Sequence, residues 1–261
     1  MALLAERYSQ RAEAYDRLWS PAIQPYGERL IASLPLAAAD RVIDVGTGAG
    51  ALLPAIRRAA PHAEVLGVDS SEGMLALARR RHDGPLMIMN AQQLELPGDC
   101  FDAALVAFVL FHLPQPSRCL AEVQRVLLRG GSVGTATWGA EHFPEVDSVW
   151  ADELTAAGAP ATPLPAVDNR ACCDTEAKVT DLLRDAGFAS IRVWTEPLVH
   201  RWAPGVHFEH QVLVSSRARL ETLSVEQRTR CLEAIRARLA SASSDDYVYA
   251  GDVTMATGMK P

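Results

Sequence analysis

"VIDVGTGAG", Val42 to Gly50, decides how this chain is read: a short β-branched run ends in glycines at positions 46, 48 and 50. A turn that only redirects the chain needs one glycine. Three at alternate positions let the main chain bend sharply and come within contact distance of a ligand. Strand-like stretches at 41–45, 65–69, 86–90, 101–109 and 133–138 alternate with amphipathic stretches at 51–60, 72–81 and 117–129. That alternation predicts an α/β fold, a doubly wound and mostly parallel seven-stranded sheet with helices on both faces. Ligands of such sheets sit beyond the carboxyl ends of the strands, so the loop after the first strand faces them.

The flanks read more loosely. Residues 2–34 look helical and carry Tyr8, Tyr15 and Trp19. Pro54 suits a first helical turn, where its missing N–H costs nothing. Arg129-Gly130-Gly131 and Gly187 read as helix stops, each offering a glycine for the left-handed position after the last turn. Residues 139–170, rich in Pro, Ala and Gly, read as a long connection of weak pattern. A strand at 190–196 follows, then an insertion at about 200–246 whose helix starts at Ser224, with Ser224 and Gln227 at capping-box spacing. "DVTMATGMKP" closes the chain as a last strand. The chain is read as one domain, 1–261: core about 40–140, 175–199 and 247–261, a helical cover over 1–35, and a cap insertion.

With 49% hydrophobic and 22% charged residues and a formal net charge of −7, the composition is that of a globular protein. An acidic surface without a compensating basic run disfavours nucleic acid. The densest basic spot, Arg79–Arg81, falls near a predicted helix C-terminus, where cations suit the dipole. The longest apolar run, "AALVAFVLFHL" from 103 to 113, is too short to span a bilayer, so no membrane role is expected. The first residues lack the basic start of a signal peptide. The five cysteines show no C-x-x-C spacing; reduced thiols and a cytoplasmic location are expected. Vicinal Cys172 and Cys173 have no histidine at zinc-finger spacing, and His207-x-x-His210 lacks an accompanying acid set, so no metal is expected.

"GTGAGA" from Gly46 fits the loose dinucleotide pattern G-x-G-x-x-G/A, and Asp69, 23 residues after Gly46, suits a ribose-binding acid in either ligand class. Asp44 separates the classes. A carboxylate repels a pyrophosphate but stabilises the ammonium and sulfonium of S-adenosylmethionine. At this point the chain resembles the class I S-adenosylmethionine-dependent methyltransferases, Rossmann-like enzymes, and within them the branch acting on quinone precursors and natural products. The resemblance rests on "VIDVGTGAG", "GVDSSEGML" (67–75), "NAQQLELP" (90–97), "FDAALVAFVLFHLP" (101–114) and "VLLRGGSVGTATW" (126–138), in family order. It implies that Asp44 and Gly46 line the methionine end of the cofactor and that Thr47 and Gly48, in the same bend, bind it as well. Asp69 would accept the ribose hydroxyls, Ser70 and Met74 border ribose and adenine, Ala91 and Gln92 flank the adenine, and Phe108 lie next to the transferable methyl.

Methyl transfer from a sulfonium is an in-line displacement, so the protein must align the partners and, for some nucleophiles, remove a proton. His112, just beyond the fourth strand, is the candidate base; a capping or packing role fits it too. Tyr15 belongs to the N-terminal cover with Tyr8, and both are read as positioning groups. No D-P-P-Y or N-P-P-Y follows the fourth strand, which disfavours amino methylation of bases or glutamine. No acid lies at that strand end, which disfavours the magnesium-dependent type; Asp99 and Asp102 belong to its other end. His200, Trp202, His207, Phe208 and His210 would shape specificity for a flat or polar small-molecule acceptor, although Trp202 and Phe208 also fit as the core of a cap. The expected function is methyl transfer to a small organic acceptor. The rivals are an NAD(P)-dependent oxidoreductase and a non-catalytic S-adenosylmethionine-binding protein. The oligomeric state is not legible.

Overall fold

Residues 2–161 and 169–261 are described by a computed structural model. Two helices, α1 (Ala2–Leu18) and α2 (Ser20–Ala32), precede β1 (Arg41–Val45), whose residues after Arg41 are all buried. Then come α3 (Leu53–Ala59), β2 (Glu64–Asp69), α4 (Glu72–Ala78), β3 (Leu86–Ile88), β4 (Phe101–Ala107), α5 (Pro116–Val126) and β5 (Leu127–His142). The second half holds α6 (Val146–Ala156), α7 (Glu176–Asp185), β6 (Ala189–Arg201), α8 (Pro204–His210), α9 (Arg217–Leu220), α10 (Val225–Leu239) and β7 (Val248–Met259).

Among the described residues these strands form one seven-stranded sheet in the order β3-β2-β1-β4-β5-β7-β6. β1 to β5 pair in parallel, while β7 runs antiparallel to both β5 and β6. Strand order reverses between β1 and β4, so a crevice opens at their carboxyl ends. Alternate residues serve opposite faces. Val42 and Leu105 pack with Leu53 and Ile56 of α3, whereas Ile43 and Val106 pack with Leu120 and Val123 of α5. The predicted doubly wound fold is the observed one.

Local signals explain many boundaries. Pro54 occupies the first turn of α3, and Ser224 and Gln227 close a reciprocal capping box at α10. Gly187, at φ +88°, ends α7; its N–H donates to Arg184 O, and that of Phe188 to Leu183 O.

Two readings are corrected. The stretch 117–129 does not run helical to Arg129: α5 stops at Val126 and β5 begins at Leu127. Gly130, at φ +80°, lies in an irregularity where the β4–β5 register shifts, and its N–H donates to Lys260 O at 2.8 Å. Its backbone freedom serves a bulge rather than a helix end. The stretch 139–170 is not uniformly weak in pattern either, because it contains α6. Val146, Trp150 and Leu154 sit one turn apart and bury against Leu220, Cys231 and Ile235. The cap is therefore built from both sides of β6. Positions 162–168 of that connection lie outside the described residues. No helix among the described residues is long and apolar enough to cross a membrane.

Candidate active site

The glycine bend leaves β1 and is braced on its neighbour: the N–H groups of Gly46 and Thr47 both donate to Val68 O, at 2.7 and 3.0 Å. Gly46, Gly48 and Gly50 all have positive φ, at +76°, +56° and +76°. A Cβ on Gly46 would lie 2.3 Å from Val109 Cγ2, so steric room alone demands glycine there. A Cβ on Gly48 would meet nothing within 4 Å. That main chain is bare toward open space, as a cradle requires.

Two carboxylates flank the bend. Asp44 is 2% exposed, and its Oδ2 accepts a 2.6 Å hydrogen bond from Thr47 Oγ1. Burial pushes its pKa up to about 6; the Thr47 hydroxyl opposes the shift and nearby Asp69 adds to it. No cationic side chain pairs with Asp44 among the described residues. Asp69 ends β2, where Oδ2 accepts from Gly48 N at 2.9 Å and Oδ1 from Ser71 N at 2.8 Å. Burial raises its pKa too, against the pull of those N–H groups.

Helix α1 lies across this crevice and is fastened to it. Arg81 donates to both carboxylate oxygens of Asp16 at 2.7 Å and to Ala49 O, within the bend, at 2.9 Å. Ser9 Oγ meets Ser71 Oγ, the N-cap of α4, at 2.9 Å. Beneath α1 a cavity of about 150 Å³ is lined by Asp44, Gly46, Thr47, Gly48, Asp69, Ser70, Met74, Ala91, Phe108, His112 and Tyr15, together with Tyr8. Nearly every expected site residue thus meets in one place. Gln92 is the exception: it is absent from the lining, and its side-chain oxygen accepts from Gln115 N at 2.8 Å, which ties the loop after β3 to the start of α5.

A second cavity of about 550 Å³ adjoins the first. Leu4, Tyr8, Tyr15, Phe108 and His112 line both, forming a shared wall. Its aromatic sides come from separate elements. Trp19 stacks on Trp202 with centroids 5.7 Å apart, and Trp138 sits 5.0 Å from Phe108. Phe108 itself is strained, at φ +59°, just past the end of β4. Tyr8 Oη lies 2.8 Å from His112 Nε2. Burial raises the pKa values of Tyr8 and Tyr15, so both phenols stay protonated near neutral pH.

Within the cap segment the expected cluster divides. Trp202, His207 and His210 line the second cavity, whereas Phe208 packs on Trp150, 5.0 Å away, in the cap's own core. His200 contacts Trp202 edge-on. Burial first, and neighbouring His207, Arg11 and His200 after it, press His210 down to about 4. Sequence reasoning missed Arg7, Arg11, Glu141, Asp147 and Tyr249, which also line this cavity. For Arg7, Tyr8, Arg11 and Tyr15 the signal was available, since their spacing places them along one side of a helix. No group of three His, Cys, Asp or Glu able to hold a metal is found among the described residues.

The sheet order and the antiparallel β7 give a mostly parallel α/β fold, with the glycine bend set between two strand-end carboxylates. Residues 43–134 match the family Methyltransf_11, a methyltransferase domain. The matched segment, about a third of the chain, thus carries the pattern of a methyltransferase domain. It is 32% identical over 130 residues to the demethylmenaquinone methyltransferase of Thermotoga maritima, covering 49% of this chain and 57% of that one. It is 29% identical over 137 residues to the aklanonic acid methyltransferase DauC of a Streptomyces species, covering 50% and 62%. The matches thus span less than two thirds of those relatives. In fold it is similar to the [4+2]-cyclase SpnF, with a TM-score of 0.61, 19% identity and coverage of 99% and 96%. It is also similar to the Haemonchus contortus phosphoethanolamine N-methyltransferase 2 bound to S-adenosylhomocysteine, with a TM-score of 0.53, 17% identity and coverage of 96% and 57%.

Proposed function

We propose that this protein transfers a methyl group from S-adenosylmethionine to a small aromatic acceptor held in the second cavity. The observation that carries the reading is the shared wall of Tyr8, Tyr15, Phe108 and His112 between a carboxylate-flanked cavity and an aromatic one. Asp44, buried without a cationic partner, fits the ammonium of the cofactor's amino-acid end. Asp69 offers a strand-end carboxylate to a ribose diol, and Ser70, Met74 and Ala91 supply mixed polar and apolar surface for the nucleoside. S-adenosylmethionine, when bound, supplies an electrophilic methyl.

The chain's own residues then handle position and protons. α1 and the cap wall the acceptor cavity and hold the acceptor in place. In the tautomer whose Nε2 carries no proton, His112 accepts from Tyr8, so an acceptor hydroxyl resting on Tyr8 Oη can give its proton there as Tyr8 passes its own to His112. Small-molecule acceptors named for the quinone and aklanonic acid relatives agree with an aromatic pocket of this kind. A net charge of −7 disfavours a nucleic-acid acceptor.

Titration calorimetry tests the reading. S-adenosylhomocysteine is expected to bind at micromolar level and NADPH not to bind; the reverse result refutes it. Radiolabelled methyl transfer to a panel of phenolic acceptors then separates an enzyme from a protein that only binds the cofactor.

A further inference from the structure

The second cavity holds a charge arrangement that methyl transfer alone does not explain. Its two acids are already engaged. Glu141 accepts from Arg170 at 2.5 Å and from Tyr249 Oη at 2.7 Å, and Asp147 accepts from His207 Nε2 and Gln211 Nε2, both at 2.8 Å. Another lining cation, Arg219, donates to Pro160 O, Ala159 O and Thr155 Oγ1 at the end of α6. Arg7 and Arg11 remain. Both line the cavity, both are partly buried, and neither has a carboxylate within ion-pair distance among the described residues.

Their placement is costly. They stand four apart on α1, so two like charges share one side of a helix. Arg11 lies 4.4 Å over the Tyr8 ring, interacts with the Tyr8 hydroxyl and reaches Val214 O at 3.5 Å, while its Nε is buried with no hydrogen-bond partner. A buried guanidinium donor left unmatched is an uncommon feature in a folded protein. The same field is felt nearby: Arg11 helps hold His210 neutral, and burial followed by Arg11 weakens the hold of Arg7 on its proton. In a chain of net charge −7, carboxylates to neutralise this pair were plentiful.

We propose that the acceptor is an aromatic acid whose carboxylate is held by Arg7 and Arg11 on the inner side of α1. The inference rests on the second cavity being the acceptor site. The surrounding tryptophans and tyrosines favour a ring system over an aliphatic chain. An aryl phosphate would meet the same two guanidiniums, so it is tested as a separate arm.

The test compares matched pairs on the full chain saturated with S-adenosylhomocysteine: benzoate, cinnamate and salicylate against their amides, with phenyl phosphate as a separate arm. At least one acid should bind ten-fold or more tighter than its amide. That preference should vanish in Arg7→Gln/Arg11→Gln while amide affinity is retained, and Arg11→Lys should keep part of it. The S-adenosylhomocysteine affinity of each variant serves as the check on folding. No acid preferred over its amide, or a preference that survives the double substitution, overturns the proposal. Phenyl phosphate binding more tightly than every carboxylate overturns the carboxylate assignment. If the unmodified chain fails to bind S-adenosylhomocysteine, the methyl-donor reading falls instead, and the acid–amide comparison run without it still judges the clamp.

Discussion

Replacing Asp44 with asparagine should make the protein more stable and a poorer binder, both over the same range of pH. Asp44 is 2% exposed and its pKa rises from 3.8 to about 6, chiefly through burial. Since each pKa unit is about 1.4 kcal/mol, the buried charge costs the folded state up to about 3 kcal/mol. The sign follows from proton counting. The folded pKa lies above the unfolded one, so the folded state binds more protons between the two values, and stability falls as pH rises from about 4 to about 6. The asparagine side chain has no charge to bury, and its amide oxygen can still accept from Thr47 Oγ1. Asp44→Asn should therefore melt about 5 °C higher or more at pH 7.5, and no higher at pH 4. Affinity for S-adenosylhomocysteine should move the other way. The variant should lose about ten-fold or more at pH 7.5 with the charge-assisted contact, while the unmodified chain weakens toward the variant's value below pH 6. Urea unfolding at several pH values and calorimetry at the same values make the measurement. A variant that is less stable at pH 7.5, or equally stabilised at both ends of the range, refutes the reasoning.

Other substitutions separate binding from folding and from turnover. Asp69→Ala removes the acceptor of Gly48 N and Ser71 N, so cofactor-analogue binding should fall below detection in calorimetry and stability drop by about 1–3 kcal/mol in urea. Gly46→Ala forces a Cβ to 2.3 Å from Val109 Cγ2 at φ +76° and should unfold early. Gly48→Ala meets no atom within 4 Å and should cost only about 1 kcal/mol of left-handed strain while blocking the cradle, so its binding loss should exceed its stability loss. His112→Ala and Tyr8→Phe should each lower kcat by about 100-fold, with S-adenosylhomocysteine affinity almost unchanged; equal losses in affinity and kcat would assign the pair to packing.

Phe108 shows where the fold tolerates strain for the sake of the junction. A non-glycine residue at φ +59° costs about 1 kcal/mol or more. Its N–H is nevertheless held by Ala136 O at 2.7 Å, and its ring lies against Trp138 while lining both cavities. A glycine would relieve the backbone but remove the ring that lines both cavities. The strain and the wall therefore belong to one residue, just past the strand end where the crevice opens.

The two cavities were not equally legible in the sequence, and the difference is physical. The carboxylate-flanked side is built from contiguous chain: a strand, three glycines and an acid, then a second strand ending in Asp69. Backbone conformation and short-range hydrogen bonding determine such a segment, and both leave marks at fixed spacing. The aromatic side has no such marks, because Trp19, Trp138, Trp202 and Tyr249 converge from α1–α2, β5, the end of β6 and β7. Trp19, Trp138 and Tyr249 alone read as ordinary core aromatics and Trp202 as either contact or core, and only the sheet order makes them neighbours. α6 escaped notice for a related reason: its apolar side, Val146, Trp150 and Leu154, is buried against α9 and α10, far along the chain, and the Pro- and Ala-rich flanks hid its period. Gln92 stands apart from the cavity wall. Its position beside Ala91 suggested a ligand contact, but a backbone donor at Gln115 claimed its carbonyl first. A polar side chain next to a site is drawn to whichever partner satisfies it at the least cost in ordering, and that choice is made by the tertiary structure.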